Sequence, residues 1–559
     1  MKYSYPYLLF FAFFAVLSLA GCSGNSDPQT FEGEPNSTAI ETCYDVQLTN
    51  AGSIQNKTIC TTRENGGFNG LGTARFMRFT VDAFSTVSIQ VTRLSGLNPA
   101  DPDILLYRSG IEIGRADTTI YNNEILTQNL NAGNYVAVIN EFEYFKNDEK
   151  QNNSFPVQQK TQVYNNVSQA TSPSNCATGD DSFVSGNVSF ARVNHLGSAL
   201  NYSDITYPPV QEAVVEVICN GGAYSSGVTD ANGFYRLNFP NSQSSFVRVK
   251  AQMLNADNWD FSVVNNDFTS QPIYAMDSSV FTVSTDTAQD LVALSGWGFP
   301  GYTGERVAAP FAILDSVRKA KDRILNVANV KFPPLKINWS TENSSSNPGT
   351  FYDGTEIFLA GKENNDTDEY DEHVIIHEWA HYFEDNFSRS DSIGGIHGTG
   401  DILDMRVAFG EGFGNAFSAI VMDDPLYVDS SGIRQGNGFS IDMENNCTRL
   451  FDVKGWYSEC SVQSIIYDLY DINNDGADTL NLNFSFIYNV LVGEQRSTQA
   501  LTSIFSFIKP LKDQNPASAN AIDLILNSQD IDSVSDIYGS SQISINPGQT
   551  DQLPIYEVY

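Results

Sequence analysis

The five residues His377-Glu378-Trp379-Ala380-His381 constrain this chain more than any other feature. A spacing of four puts two imidazoles on one face of an α-helix, and only a helix makes them converge. Histidines placed so can share one Zn2+ ion. Glu378 then projects beside the metal position, where it can take a proton from water. The surroundings agree with a helix over 369–387. Val374, Ile375, Ile376, Ala380, Phe383 and Phe387 supply an apolar surround, and Asp368, Glu369, Asp371 and Glu372 stand near its start, complementing the helix dipole. Histidine is also scarce: the chain has 5, and four of them fall within 373–397.

Catalytic zinc takes three protein ligands and keeps a fourth position for water. A histidine six residues after His381 would supply the third, but position 387 is Phe. His397 and Glu411 are the remaining candidates. Glu411 lies in Ala408-Phe-Gly-Glu411-Gly-Phe-Gly-Asn415, which reads as the start of a second helix. The pattern resembles the gluzincin peptidases, and the Gly-Glu-Gly-aromatic run resembles their fungalysin-type members. That resemblance implies an α+β zincin-like domain with His377, His381 and Glu411 as zinc ligands and Glu378 as the catalytic base. Asn415 stands where the clan often has an Asp that orients the first histidine, and its amide oxygen can do the same.

Other residues enter as second candidates. His397, flanked by glycines over 394–400, suits substrate or oxyanion binding, with a surface position as the alternative. His373 reads as a flanking or ligand-supporting residue, and Asp404 and Arg406 as solvated charges, with an ion pair that ties loops together as the alternative. The resemblance implies a later His or Tyr for the oxyanion; no His follows 397, which leaves Tyr457 and Tyr467. The stretch 351–360 fits the strand that borders the gluzincin cleft, implying an extended peptide substrate. Asp471, Asn473 and Asp475, with Gly476 in sixth place, resemble the opening of a calcium loop, although Leu482 occupies the twelfth.

The chain opens with Lys2 and an apolar run over 8–19, an export signal by pattern. It ends in Leu19-Ala20-Gly21-Cys22, which resembles the bacterial lipobox. The resemblance implies a signal peptide over 1–21, lipid on Cys22, and a tether over 22–36. The protein would then be lipid-anchored at the cell envelope, in the outer membrane or at the cell surface. Of 7 cysteines, six remain for an oxidising compartment. Proximity pairs them as Cys43 with Cys60, Cys176 with Cys219 and Cys447 with Cys460.

Between tether and metal motif the pattern is β. Period-two alternation over 37–145, as in Phe76-Met-Arg-Phe79, indicates a β-sandwich. Asp101-Pro-Asp103-Ile-Leu-Leu-Tyr107 and Ala132-Gly-Asn-Tyr135 resemble the bacterial pre-peptidase C-terminal domain, an accessory module. A polar linker covers 146–179. A second β region covers 180–297, where Thr229-Asp-Ala-Asn-Gly233-Phe-Tyr235 resembles a hairpin of carboxypeptidase-regulatory-like sandwiches. The metallopeptidase domain is expected over 298–545, with a tail over 546–559. The fold class is thus multidomain, all-β modules followed by one α+β unit.

An excess of 66 acidic over 31 basic residues, for a formal net charge of −35, excludes nucleic acid as the main partner. Together these features indicate a zinc-dependent endopeptidase acting on polypeptide. The alternative is a non-catalytic surface binding or adhesion lipoprotein that retains a zincin fold.

Overall fold

The computed structural model describes residues 41–50, 52–62, 69–142, 175–176, 181–346, 349–445, 447, 453–473, 476–542 and 557–558. Cys22 and the export signal lie outside them. Sheets dominate up to residue 293 and helices the remainder.

The first unit is a sandwich. One sheet orders Ser53–Thr62, Glu41–Asn50, Ser85–Ser95 and Asn123–Leu130; the other orders Ala74–Val81, Gly133–Glu141, Pro102–Arg108 and Ile111–Ala116. Glu557–Val558, from the far end of the chain, pairs in parallel with Met77 and Arg78 at the edge of the second sheet. Alternation explains how this unit both folds and docks. Met77, Phe79 and Val81 point into its own core, while Phe76, Val136 and Val138 belong to the main core of the rest of the protein. Cys43 and Cys60 face each other across adjacent strands and are bonded, as are Cys176–Cys219 and Cys447–Cys460, the three pairs proximity suggests.

Asp103 in this sandwich gives a pH test. Burial, then Asp101, Asp117 and Glu124, push its carboxyl up to about 7. Its proton is therefore held more tightly folded than unfolded. The stability this confers is present below the ordinary carboxylate range and is lost as pH rises through about 7. Asp103→Asn is expected to flatten that loss, so thermal unfolding of the variant at pH 8 should come at a higher temperature than wild type, and near pH 4 the two should converge.

The second β region does not close on itself. Its main sheet runs Gly222–Val228, Ala213–Cys219, Ser245–Asn255 and Trp259–Asn265, and continues into Leu335–Trp339, Ile357–Leu359 and Phe351–Tyr352. The junction is a parallel pairing of Phe261–Asn265 with Leu335–Trp339, so one sheet crosses residue 297. Helix α1 (Ala308–Leu325) lies between its two parts in the chain and packs against Ser245–Asn255 and Trp259–Asn265. Short apolar strands such as Leu-Lys-Ile-Asn-Trp suit such a buried interior position.

Beyond the sheet come α2 (Glu372–Phe387), α3 (Met405–Met422), α4 (Glu459–Asp468), α5 (Phe484–Val490), α6 (Ile504–Gln514) and α7 (Ala519–Ser528). Their positions agree with the helical periodicity at 369–387, 404–421, 460–470 and 498–511. A small sheet of Gly361–Lys362, Asp366–Thr367, Leu426–Ser431 and Asn437–Asp442 lies between them. Helix α2 packs on α3, and α3 on α4. Trp379 and Phe383, two residues on from the two motif histidines, stack on Phe417 at centroid distances of 5.8 and 6.1 Å. That aromatic contact, worth roughly 0.5–1.5 kcal/mol per pair beyond burial, sets the α2–α3 register. Among the described residues no helix is long and apolar enough to cross a membrane.

Candidate metal centre

Helix α2 presents His377 and His381 on one face, and α3 brings Glu411 to meet them. His377 Nε2 lies 3.0 Å from His381 Nε2 and 3.2 Å from Glu411 Oε2, and His381 Nε2 lies 3.5 Å from the same oxygen. Ligands about 2.0–2.1 Å from a tetrahedral zinc stand about 3.3 Å apart. The three donor atoms therefore have the separation and the N,N,O chemistry that zinc takes. Burial alone would raise the Glu411 carboxyl, but His397 and His381 outweigh it and hold it well below the usual carboxylate range. His381 is the most open of the three, with 14% of its side chain exposed against 5% and 4% for His377 and Glu411. A substrate would therefore approach from its side.

The surrounding residues fix these ligands. His377 Nδ1 lies 2.7 Å from Asn415 Oδ1, and the Asn415 amide donates onward to Gln463 Oε1 on α4 at 2.9 Å. That second bond settles the amide's orientation, so its oxygen faces the ring and His377 carries its proton on Nδ1, leaving Nε2 free for a metal. Glycines make the approach possible. A Cβ on Gly414 would stand 2.8 Å from His377 Nδ1, and one on Gly412 would stand 2.5 Å from Val462 Cβ on α4. Glu384, one turn after His381, puts its carboxylate 3.7 Å from His381 Nδ1.

Glu378 is fully buried. Burial raises its carboxyl, against the pull of His377 and His381. The backbone N–H of Tyr352 donates to it. Tyr352 belongs to Phe351–Tyr352, the strand at the very edge of the long sheet. The edge of that sheet and the candidate base are thus in direct contact.

His397 is also drawn in. Its Nε2 lies 3.4 Å from Glu411 Oε2 and 3.5 Å from Glu459 Oε2, and its side chain is buried rather than on the surface. Burial would lower its pKa, but Glu411 and Glu459 together raise it. The loop that carries it is clamped by the first sandwich. The Asn69 amide donates to the carbonyls of Gly394 at 3.2 Å and Ile396 at 3.1 Å, and Leu71 N–H and Asp404 N–H make backbone bonds with Ile402 and Asn69. Asp404 and Arg406 are not solvated charges: they form a buried two-bond ion pair at 2.9 Å, and Asp404 caps α3. Docking explains the difference, since the Arg406 guanidinium sits over Phe76 and Tyr107 of the sandwich.

The remaining candidates make the following contacts. His373 Nε2 contacts the Asp424 carbonyl at 3.3 Å and takes no part in the triad. Tyr457 is buried against Trp456, with its carbonyl bonded to Leu403 N–H. Tyr467 lies beside Tyr470, Glu444 and Asp471. Asp471 is raised to about 8 by burial and by Glu444 and Asp478, and Asn473 reaches Glu444 at 3.4 Å; Asp475 lies outside the described residues. Glu459, Gln463 and Glu384 are site neighbours that spacing alone does not reveal. The single legible hint was the run of glycines around Glu411.

Residues 327–528 match the family model of the mycolysin C-terminal domain. The match holds every residue of the triad and its supports, and it points to a fungalysin-like peptidase family. No curated protein matches the chain. Among solved structures, one described as "Ca2+-stabilized adhesin helps an Antarctic bacterium reach out and bind ice" aligns at 10% identity with a TM-score of 0.11. That alignment covers 45% of this chain and 66% of the other, just under two thirds of its length. The mycolysin-like segment begins beyond α1, so the front strands of the shared sheet stand outside the match.

Proposed function

We propose that this protein is a zinc-dependent endopeptidase of gluzincin type, held at the cell envelope by lipid on Cys22. The observation that carries the reading is the convergence of His377 Nε2, His381 Nε2 and a Glu411 oxygen beside the buried Glu378 carboxylate. The mycolysin-like match supports a peptidase.

His377, His381 and Glu411 would hold Zn2+, which supplies Lewis acidity toward a peptide carbonyl and toward water. The chain's own residues do the rest. Glu378 accepts a proton from the attacking water and returns it to the departing amine, the work of a general base turned acid. Burial raises its carboxyl against the pull of His377 and His381, which favours its holding the proton between the two transfers. Asn415 and Gln463 keep His377 in one tautomer. His397, with Nε2 beside Glu411 and Glu459, is the ring N–H donor available to an oxyanion near the triad. The edge strand Phe351–Tyr352 offers backbone groups for an extended substrate to pair with, which suits polypeptide.

The test is metal analysis joined to an assay. The purified full chain is expected to carry about one zinc per molecule and to hydrolyse unfolded casein. Chelation should abolish hydrolysis, and added zinc should restore it. A chain that binds no zinc refutes the site. Stoichiometric zinc without turnover of any polypeptide would instead favour the surface-binding reading.

A further inference from the structure

A second group of metal-compatible side chains lies in the interior, between the small sheet and the start of α2. Asp366 comes from Asp366–Thr367, Asp368 opens the 3-10 turn Asp368–Tyr370 that leads into α2, and Asp429 lies in Leu426–Ser431. One oxygen of each lies within 4.8 Å of the other two. The residues are 6%, 2% and 8% exposed.

Nothing in the described residues neutralises them. Arg306 pairs with Glu369 and the Gly361 carbonyl, His195 Nε2 lies 2.6 Å from Asp371 Oδ1, and Lys362, opposite Asp366 in the strand pair, is exposed to solvent. The donors of Ser430 serve Asp371. Asp368 accepts from the Thr350 hydroxyl and from Ala360 N–H. Asp366 Oδ1 is buried and accepts nothing. An isolated carboxylate in the interior costs several kcal/mol even after relaxation, and here three stand together. Burial and mutual repulsion raise all three carboxyls, Asp368 to about 7, as expected of a group that lacks its counter-charge.

We propose that Asp366, Asp368 and Asp429 form a structural calcium site, distinct from the histidine centre. The donors are all oxygen, which selects a hard cation over zinc. They are enclosed, whereas Mg2+ keeps several waters and is seldom held in an all-protein cage; Ca2+ accepts six to eight oxygens at flexible angles and about 2.3–2.6 Å. A shared proton is the competing arrangement. Asp366 and Asp368 are within hydrogen-bond reach of each other, but one shared proton still leaves two negative charges among the three carboxylates. A calcium ion joins three chain segments at once. It would tie the small sheet to the turn from which α2 departs, a few residues before His377.

The experiment uses the full chain at pH 7.5 with zinc supplied at a constant level, and calcium alone as the probe. Bound calcium is measured by equilibrium dialysis and stability by thermal unfolding. Calcium is expected to bind and to raise Tm. Asp366→Asn and Asp429→Asn, which keep side-chain shape, should each weaken that binding at least tenfold and remove the Tm shift while leaving zinc content unchanged. Asp471→Asn, in the other acidic group, should leave both intact. Wild type that binds no calcium at about 1 mM, the weak end for extracellular sites, overturns the proposal. So does binding lost only in Asp471→Asn. Asn variants that are as stable as wild type in calcium, or more so, would identify the group as a proton-sharing cluster and overturn it equally. The wild-type measurement decides the matter even if a variant does not fold.

Discussion

Glu378→Gln is expected to leave zinc bound and to lower casein hydrolysis by about 10^2–10^4-fold, the range for removing a positioned general base. The amide matches the carboxylate in shape and still accepts the Tyr352 N–H, so the edge strand should stay in place. What it lacks is the capacity to take up a proton. Zinc content and turnover must therefore separate in this variant. Measurement of both on one preparation checks it: activity within threefold of wild type refutes the assigned role. Loss of zinc along with activity would show instead that the carboxylate shapes the metal centre.

The second large effect belongs to a residue with no side chain. Gly414→Ala puts a methyl group 2.8 Å from His377 Nδ1 and 2.9 Å from Cε1. Real Cβ atoms do not approach so closely, and the ring cannot retreat without leaving Asn415. We expect the 2.7 Å bond to Asn415 to break and zinc affinity to fall about 10–100-fold, the usual cost of losing a partner that orients a ligand. A competition titration with a chromogenic chelator reads this directly. Helix content should be unchanged or slightly higher, since Ala is the better helix former. Wild-type affinity in Gly414→Ala would mean that α2 and α3 are not held at this separation.

The two histidines were legible in the sequence because their chemistry is periodic, whereas Glu411 came from the gluzincin resemblance. Four-residue spacing aims His377 and His381 together, and Glu411 and Asn415 repeat that spacing on the next helix. Glu459 and Gln463 obey the same rule on α4, yet they carry no motif, and only the packing of α4 on α3 brings them in. Arg406 and Asp404 read as ordinary surface charges because nothing local shows that a remote sandwich will cover them. Asp366, Asp368 and Asp429 failed to stand out for a similar reason: acidic residues are abundant in a chain with 66 of them, and the third member arrives from a strand some sixty positions later. The change from strands to helix near 300 is plain in the hydrophobic pattern. That strands on both sides of it share one sheet is not, since parallel pairing joins distant segments through a crossover and leaves no local trace.

That parallel junction between Phe261–Asn265 and Leu335–Trp339 also bears on how such a protein can change over generations. A catalytic cassette that recombines freely needs borders where few bonds cross. Here a cut near residue 297 would strip a partner from Leu335–Trp339 and bare an apolar strand edge, the kind of surface that pairs with other chains and aggregates. The border before residue 181 is no freer, since Phe76, Val136 and Val138 share the main core and Asn69 holds the His397 loop, so the strands on both sides and the histidine-bearing helices should be inherited as one block.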